Sequence, residues 1–212
     1  MKYCTFLNTI PKIQKASLPA IQSHLKMAPM DRLKMHKLWD YSKLAPKKAG
    51  VMALFYPKGS ETYMVLILRS ANGVHSSQIS FPGGKYEAED VLLLNTAKRE
   101  TFEEIGIAED DIYIVKELSQ LYVPPSNFLI SPFLGYLKHE PLFAPCSNEV
   151  AEIIEVSLSE FMNTQSANFN VKASYSDFVG VPAYKMNDQV VWGATAMILS
   201  ELKDVLSLSL EL

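Results

Sequence analysis

Cysteine is nearly absent from this chain: its 212 residues hold two, Cys4 and Cys146. They are too few and too far apart in sequence for a disulfide framework or a zinc site, so both read as buried or incidental thiols. An excess of positive charge is also missing. A formal net charge of -3 leaves no basic footprint for nucleic acid, so an anionic substrate would have to be met by local cations and metal. No apolar run is long enough to cross a bilayer, and the N-terminus lacks a basic region followed by an apolar core, which gives the expectation of a cytoplasmic protein. No repeat or low-complexity segment stands out. What is present is ordinary for a globular domain with a substantial core: 48% hydrophobic and 20% charged residues.

Proline at positions 11, 19, 29 and 46 breaks the first stretch, so residues 1–45 are expected to form a helical or irregular extension and residues 46–212 the main domain. Gly50 to Tyr56 and Tyr63 to Arg69 read as strands joined by a turn at Lys58, Gly59 and Ser60. Further strands are expected at Ile112 to Val115, Leu129 to Leu137 and Ala151 to Val156, with a hairpin near Asn187 and Asp188. A last helix is expected from Ala194 to about Val205. Strands mixed with helices indicate an α/β protein with a sheet between helical layers.

The most informative segment is GGKYEAEDVLLLNTAKRETFEEIGI, from Gly83 to Ile107. On a helix, residues three and four apart lie one above the other, so Glu100 shares a face with Glu103 and Glu104. Like charges so placed destabilise a helix by roughly 0.2 to 0.5 kcal/mol per pair unless a cation sits among them. A hard divalent cation with oxygen ligands is the natural occupant; the plain alternative is a solvated acidic face. Asp90 is expected to N-cap the helix and Gly106 to C-cap it, with Val91, Leu94, Phe102 and Ile105 as the packing face.

At these residues the chain resembles the Nudix hydrolases. Gly84, Arg99, Glu100, Glu103, Glu104, Gly106 and Ile107 match that family's signature, while Thr101 fills an apolar position of the pattern. Asp90 stands where glutamate is usual, with eight residues rather than seven before Arg99. An insertion of this kind resembles the coenzyme A diphosphatase branch, which carries a characteristic segment ahead of the signature. Here Leu66 to Gly84 reads LILRSANGVHSSQISFPGG. Arg69, Ser70, His75, Gln78, Phe81 and Pro82 fit that segment. Gly73 and Val74 fall where a basic residue belongs, and Ser77 where a glycine does.

The resemblance implies a Nudix-type α/β/α sandwich with a mixed β-sheet. It also implies magnesium or manganese as cofactor, with Glu100 and Glu104 as ligands, Glu103 as a further ligand or a proton acceptor, and the Gly84 carbonyl completing the set. Arg99 would hold the motif together by pairing with Asp90 or Glu103. The general base is open between Glu103, Glu149 and Glu152, the last two being otherwise ordinary exposed carboxylates. Arg69, His75, Gln78 and Lys85 are candidate substrate contacts, because a phosphate-rich ligand wants fixed donors.

The implied activity is hydrolysis of a diphosphate linkage in coenzyme A or an acyl-coenzyme A. The alternatives are another nucleoside diphosphate derivative, such as a dinucleotide, ADP-ribose or a nucleotide sugar, or a non-catalytic nucleotide-binding module. The expected partner is thus a phosphate-containing small molecule rather than nucleic acid or membrane, and the chain could pair as a homodimer.

Overall fold

The structure, a computed structural model, describes residues 1–30, 44–70, 78–173 and 176–210. The expected hairpin forms from β1 (Lys47–Lys58) and β2 (Glu61–Arg69), turning where Gly59 takes a φ of +57°. Successive residues of a strand face opposite sides of a sheet. Met52, Leu54 and Tyr56 therefore enter one core while Ala53 and Phe55 enter another, all fully buried. A strand buried on both faces belongs in the middle of its sheet, and β1 is there.

It pairs in parallel with β7 (Phe128–Tyr136) and antiparallel with β2 and the short β4 (Gly83–Lys85). Around this centre lie β3 (Ile79–Ser80) and β8 (Val150–Ser157) on β2, and β5 (Tyr113–Glu117) and β6 (Leu121–Val123) on β7. Parallel and antiparallel pairings together make the sheet mixed, with eight strands among the described residues.

Helices cover both faces. On one side lie α1 (Tyr3–Lys15), α2 (Ile21–Lys26) and the long α5 (Gly193–Leu210); on the other lies the acidic helix, α3 (Leu93–Ile105). The first stretch, expected as an extension, contributes to the same core as the sheet: Phe6 and Ile13 are fully buried, and the Phe6 and Phe55 rings are 5.0 Å apart. Glu201, buried on α5, accepts hydrogen bonds from the Ala20 and Ser119 N–H groups at 2.9 Å each and lies 3.5 Å from His24 Nε2.

A short helix, α4 (Leu158–Asn163), leads into a second sheet of β9 (Ser166–Ala173), β10 (Ser176–Met186) and β11 (Gln189–Trp192). Asn187 and Asp188, at φ of 47° and 60°, make the expected hairpin between the last two. The sequence did not announce β9 or most of β10, because Asn168, Asn170, Gly180 and Pro182 interrupt any apolar alternation.

The acidic helix corrects two expectations. Asp90 does not cap it: the helix starts at Leu93 with Leu92 in the capping position, and Asp90 ends a separate 3-10 turn, Ala88–Asp90. Nor do Val91 and Phe102 pack, being 74% and 53% exposed. The face that packs carries Ala97, Thr101 and Ile105 at four-residue spacing. Contact with β1 selects small side chains there, since a Cβ on Gly50 would lie 2.3 Å from the Leu93 carbonyl oxygen. Gly106 does close the helix, in the left-handed region at φ 75°.

Candidate metal centre

This close seat on β1 brings the glutamate face of α3 to the Pro82-Gly83-Gly84 turn. The Gly83 N–H donates to Glu104 Oε2 at 2.8 Å, and a Cβ on Gly84 would sit 2.4 Å from the Glu100 carboxylate, so only glycine fits without displacing it. Glu104 is fully buried. Its Oε1 accepts from Arg69 Nη1 at 3.1 Å, at the last residue of β2.

A third carboxylate arrives from far along the chain. Ala144 and Cys146 N–H groups donate to the carbonyls of Ile105 and Glu104, satisfying the open end of α3, and Cys146 then accepts from Glu149 and Val150. Ser70 pins this turn, its N–H donating to the Glu149 carbonyl at 2.9 Å and its hydroxyl to that of Asn148 at 2.6 Å. In the ladder, Leu68 faces Glu152 and Arg69 faces Val150, so Ala151 is an extra residue on β8, a bulge of the kind that re-aims neighbouring side chains. As a result, oxygens of Glu100, Glu104 and Glu149 lie within 4.8 Å of one another, a metal-capable group of acidic residues among the described residues.

The electrostatics follow from burial. Burial pushes the Glu104 carboxyl up to about 7, against the lowering effects of the Gly83 N–H and the Arg69 guanidinium. Glu100 is also raised, first by burial, with Arg99 opposing. Oxygen-only donors, buried charge and a glycine cradle fit a hard divalent cation such as magnesium or manganese.

Arg99 binds both partners left open by the sequence. Its Nε and Nη2 donate to Asp90 Oδ1 and Oδ2 at 2.7 and 3.1 Å, its Nη1 to Glu103 at 2.8 Å, and its Nη2 also to Glu100 and to the Lys85 carbonyl. The Arg99 hydrogen bonds hold the Asp90 carboxyl well below the usual carboxylate range despite burial, helped by the Glu87 N–H and the Thr96 hydroxyl. Leu92 N–H donates to the Asp90 carbonyl at 2.6 Å across Val91, whose φ and ψ are 61° and -49°. That is a γ-turn, strained for a β-branched residue. It loops Val91 out at the extra position of the signature, so Asp90 still reaches Arg99.

Of the residues singled out from the sequence, the fold gathers Glu100, Glu104, Glu149, Arg69 and Gly84. Glu103 is half-exposed and turned to Arg99, and Glu152 is exposed on β8, outside the carboxylate group. Gln78 is half-buried, its carbonyl accepting from the Arg69 N–H at 3.0 Å, and Lys85 is exposed. His75, Gly73, Val74 and Ser77 lie outside the described residues. The Gly83 N–H, Gly50 and Ser70 also build the site; the Pro-Gly-Gly turn is the sequence signal for the first, and the fit of Ser70 to the segment before the signature is the signal for the last.

The NUDIX domain family model matches residues 46–176. The chain belongs to the Nudix hydrolase family. It is 30% identical over 155 residues to the peroxisomal coenzyme A diphosphatase ndx-8 of Caenorhabditis elegans, covering 71% of this chain and 64% of that one. With the Nudix hydrolase NudL of Photorhabdus laumondii it shares 32% identity over 142 residues, 66% of this chain and 74% of that one. The human mitochondrial coenzyme A diphosphatase NUDT8 is 29% identical over 157 residues, 72% and 66% of the two chains.

Solved structures agree on the Nudix fold. The Nudix hydrolase RenU of M. Smegmatis superposes with a TM-score of 0.53 at 13% identity, over 76% of this chain and 86% of that one. A MutT/nudix family protein from Enterococcus faecalis gives 0.52 at 15% identity, over 85% and 70%. Among the described residues no helix is long and apolar enough to cross a membrane.

Proposed function

We propose that this Nudix protein is a metal-dependent diphosphatase whose substrate is coenzyme A or an acyl-coenzyme A. The observation that carries the chemistry is the convergence of Glu100, Glu104 and Glu149 beside Arg69. The substrate class rests on the coenzyme A diphosphatases among its relatives and on the Leu66 to Gly84 segment.

Glu100, Glu104 and Glu149 would hold magnesium or manganese, with Glu103 and the Gly84 carbonyl as further ligands. The bound ion would neutralise charge on adjacent phosphates and favour ionisation of water. The chain's own residues do the rest. Glu149, the exposed member of the trio, would take the proton of the attacking water through a carboxylate oxygen not bound to the ion, with Glu103 and Glu152 as the alternatives. The water oxygen bonds to phosphorus, the bridging phosphorus–oxygen bond breaks, and the leaving phosphate keeps the electron pair. Arg69, with His75, Gln78 and Lys85 as further candidates from the sequence, would hold the phosphates in line. The products are 3′-phosphoadenosine 5′-phosphate and a phosphopantetheine.

A panel of coenzyme A, acyl-coenzyme A, dephospho-coenzyme A, ADP-ribose and a dinucleotide, with products identified by mass, tests this. A specificity constant highest for coenzyme A forms supports the reading. Equal rates across the panel would replace it with a generalist diphosphatase.

A further inference from the structure

Two guanidinium groups touch the carboxylate site, and they are held differently. Arg99 is committed on several sides, to Asp90, Glu103, Glu100 and the Lys85 carbonyl. The Arg69 side chain is about one-third exposed and, among the described residues, is held by a single hydrogen bond, from Nη1 to Glu104 Oε1 at 3.1 Å. The other oxygen of Glu104 is taken by the Gly83 N–H. Both oxygens of Glu104 thus carry a donor, and an ion shared with Glu100 and Glu149 would meet either the fixed Gly83 N–H or the Arg69 guanidinium on this carboxylate.

We propose that Arg69 and the metal ion compete for Glu104, so that metal loading releases Arg69 to the substrate. This rests on the metal-dependent reading above and concerns the order of events within that site. A divalent ion and a guanidinium on one carboxylate repel each other, the more so because that carboxylate is fully buried. The less anchored partner yields. Among the described residues Arg69 hangs on a flexible stem by one end-on bond, and its side chain is about one-third exposed. Once displaced, its fork of donors matches a phosphate, which it can grip at two oxygens where it grips Glu104 at one. Arg69, which lies on Glu104, thus becomes a substrate contact once the ion is bound. By linkage, metal then strengthens substrate binding and substrate strengthens metal binding by the same factor.

The test is a calorimetric titration of the full chain with Mn2+ in the absence of substrate, for the wild type, Arg69→Gln and Arg69→Lys. The glutamine variant is expected to bind Mn2+ about fivefold or more tightly, while the lysine variant, which keeps the charge, stays near the wild type. With saturating Mn2+, methylenediphosphonate, a non-hydrolysable diphosphate, is expected to bind Arg69→Gln more weakly than the wild type by about tenfold. Thermal melts confirm that each variant is folded. An Mn2+ affinity in Arg69→Gln equal to or weaker than that of the wild type overturns the competition while leaving the metal site standing. A wild-type protein that binds no Mn2+ overturns both.

Discussion

Arg99 and Asp90 form a two-point ion pair, Nε to Oδ1 at 2.7 Å and Nη2 to Oδ2 at 3.1 Å, with the carboxylate end almost fully buried. The pair fixes the turn before α3 to the middle of that helix and so sets where Glu100 and Glu103 stand. Asp90→Asn is expected to cost about 1.5–3 kcal/mol, the worth of hydrogen bonds to a charged group, read by denaturant unfolding. Asp90 is depressed in the folded protein, so its contribution is present above the ordinary value of 3.8 and is lost as pH falls through the lower folded value. The difference between wild type and variant should therefore shrink in acid. A difference that stays constant down to the lowest accessible pH would contradict this assignment.

The sign is opposite at Glu104. Its folded value, about 7, lies above the ordinary 4.5, so the folded chain holds a proton that the unfolded chain has already lost. Without metal, this group's stabilising contribution is complete below about pH 4.5 and declines as pH rises through 7. Melting temperatures in chelator at pH 5 and pH 8 should fall more steeply for the wild type than for Glu104→Gln. Parallel curves would show that burial of this carboxyl does not govern the slope.

Turnover should vanish on chelation and return with added magnesium or manganese. Replacing Glu100 or Glu104 by Gln is expected to lower kcat by about a hundredfold or more, as for loss of a principal electrostatic group. Glu149→Gln tests the proton acceptor: a loss of about 10²–10⁴-fold with a flattened pH–rate profile is expected. Retention of the wild-type profile would move that role to Glu103 or Glu152.

Two glycines on facing strands should respond differently to alanine. A Cβ at Gly50 meets backbone, 2.3 Å from the Leu93 carbonyl, whereas at Gly84 it meets the movable end of Glu100 at 2.4 Å. Gly50→Ala is expected to destabilise the fold by about 1–3 kcal/mol, the cost of overpacking. Gly84→Ala should melt near the wild type yet bind Mn2+ at least tenfold more weakly, since a ligand has been pushed aside. Normal metal affinity in Gly84→Ala would remove Glu100 from the ligand set.

Val91 offers a stabilising change. Its strained backbone costs on the order of 1–3 kcal/mol, while glycine gives back roughly 0.5–1 in unfolded-chain entropy. The side chain is 74% exposed, so little packing is lost. Val91→Gly should gain about 1 kcal/mol in denaturant melts with kcat unchanged. A loss of stability would show that the turn is unstrained.

The sequence was most readable where chemistry and spacing coincide. The carboxylates of α3, the Arg99 pairing, the β1–β2 hairpin and the sandwich itself follow from local pattern and from the signature. The packing face of α3 departs from the apolar pattern because fit outranks apolar size: Ala97 is small enough for close contact with Gly50, whereas Phe102 stays exposed. Glu149 could be named but not placed, because its position depends on a bulge at Ala151, a cap on the distant end of α3 and two hydrogen bonds from Ser70. Each joins residues far apart in the chain, and no spacing rule records them.

Glu149 also has a consequence for when the site comes into being. Glu100 and Glu104 are neighbours on one helix, but the third carboxylate is delivered only when β8 has docked on β2 and the preceding turn has closed over the end of α3. A partly folded chain with α3 already formed would offer two carboxylates and little grip on a cation. On the metal-dependent reading proposed above, the ion would act as a selective ligand for the finished topology, drawing the folding equilibrium toward it by mass action, and its affinity would report whether the most sequence-distant contacts of the domain have been made.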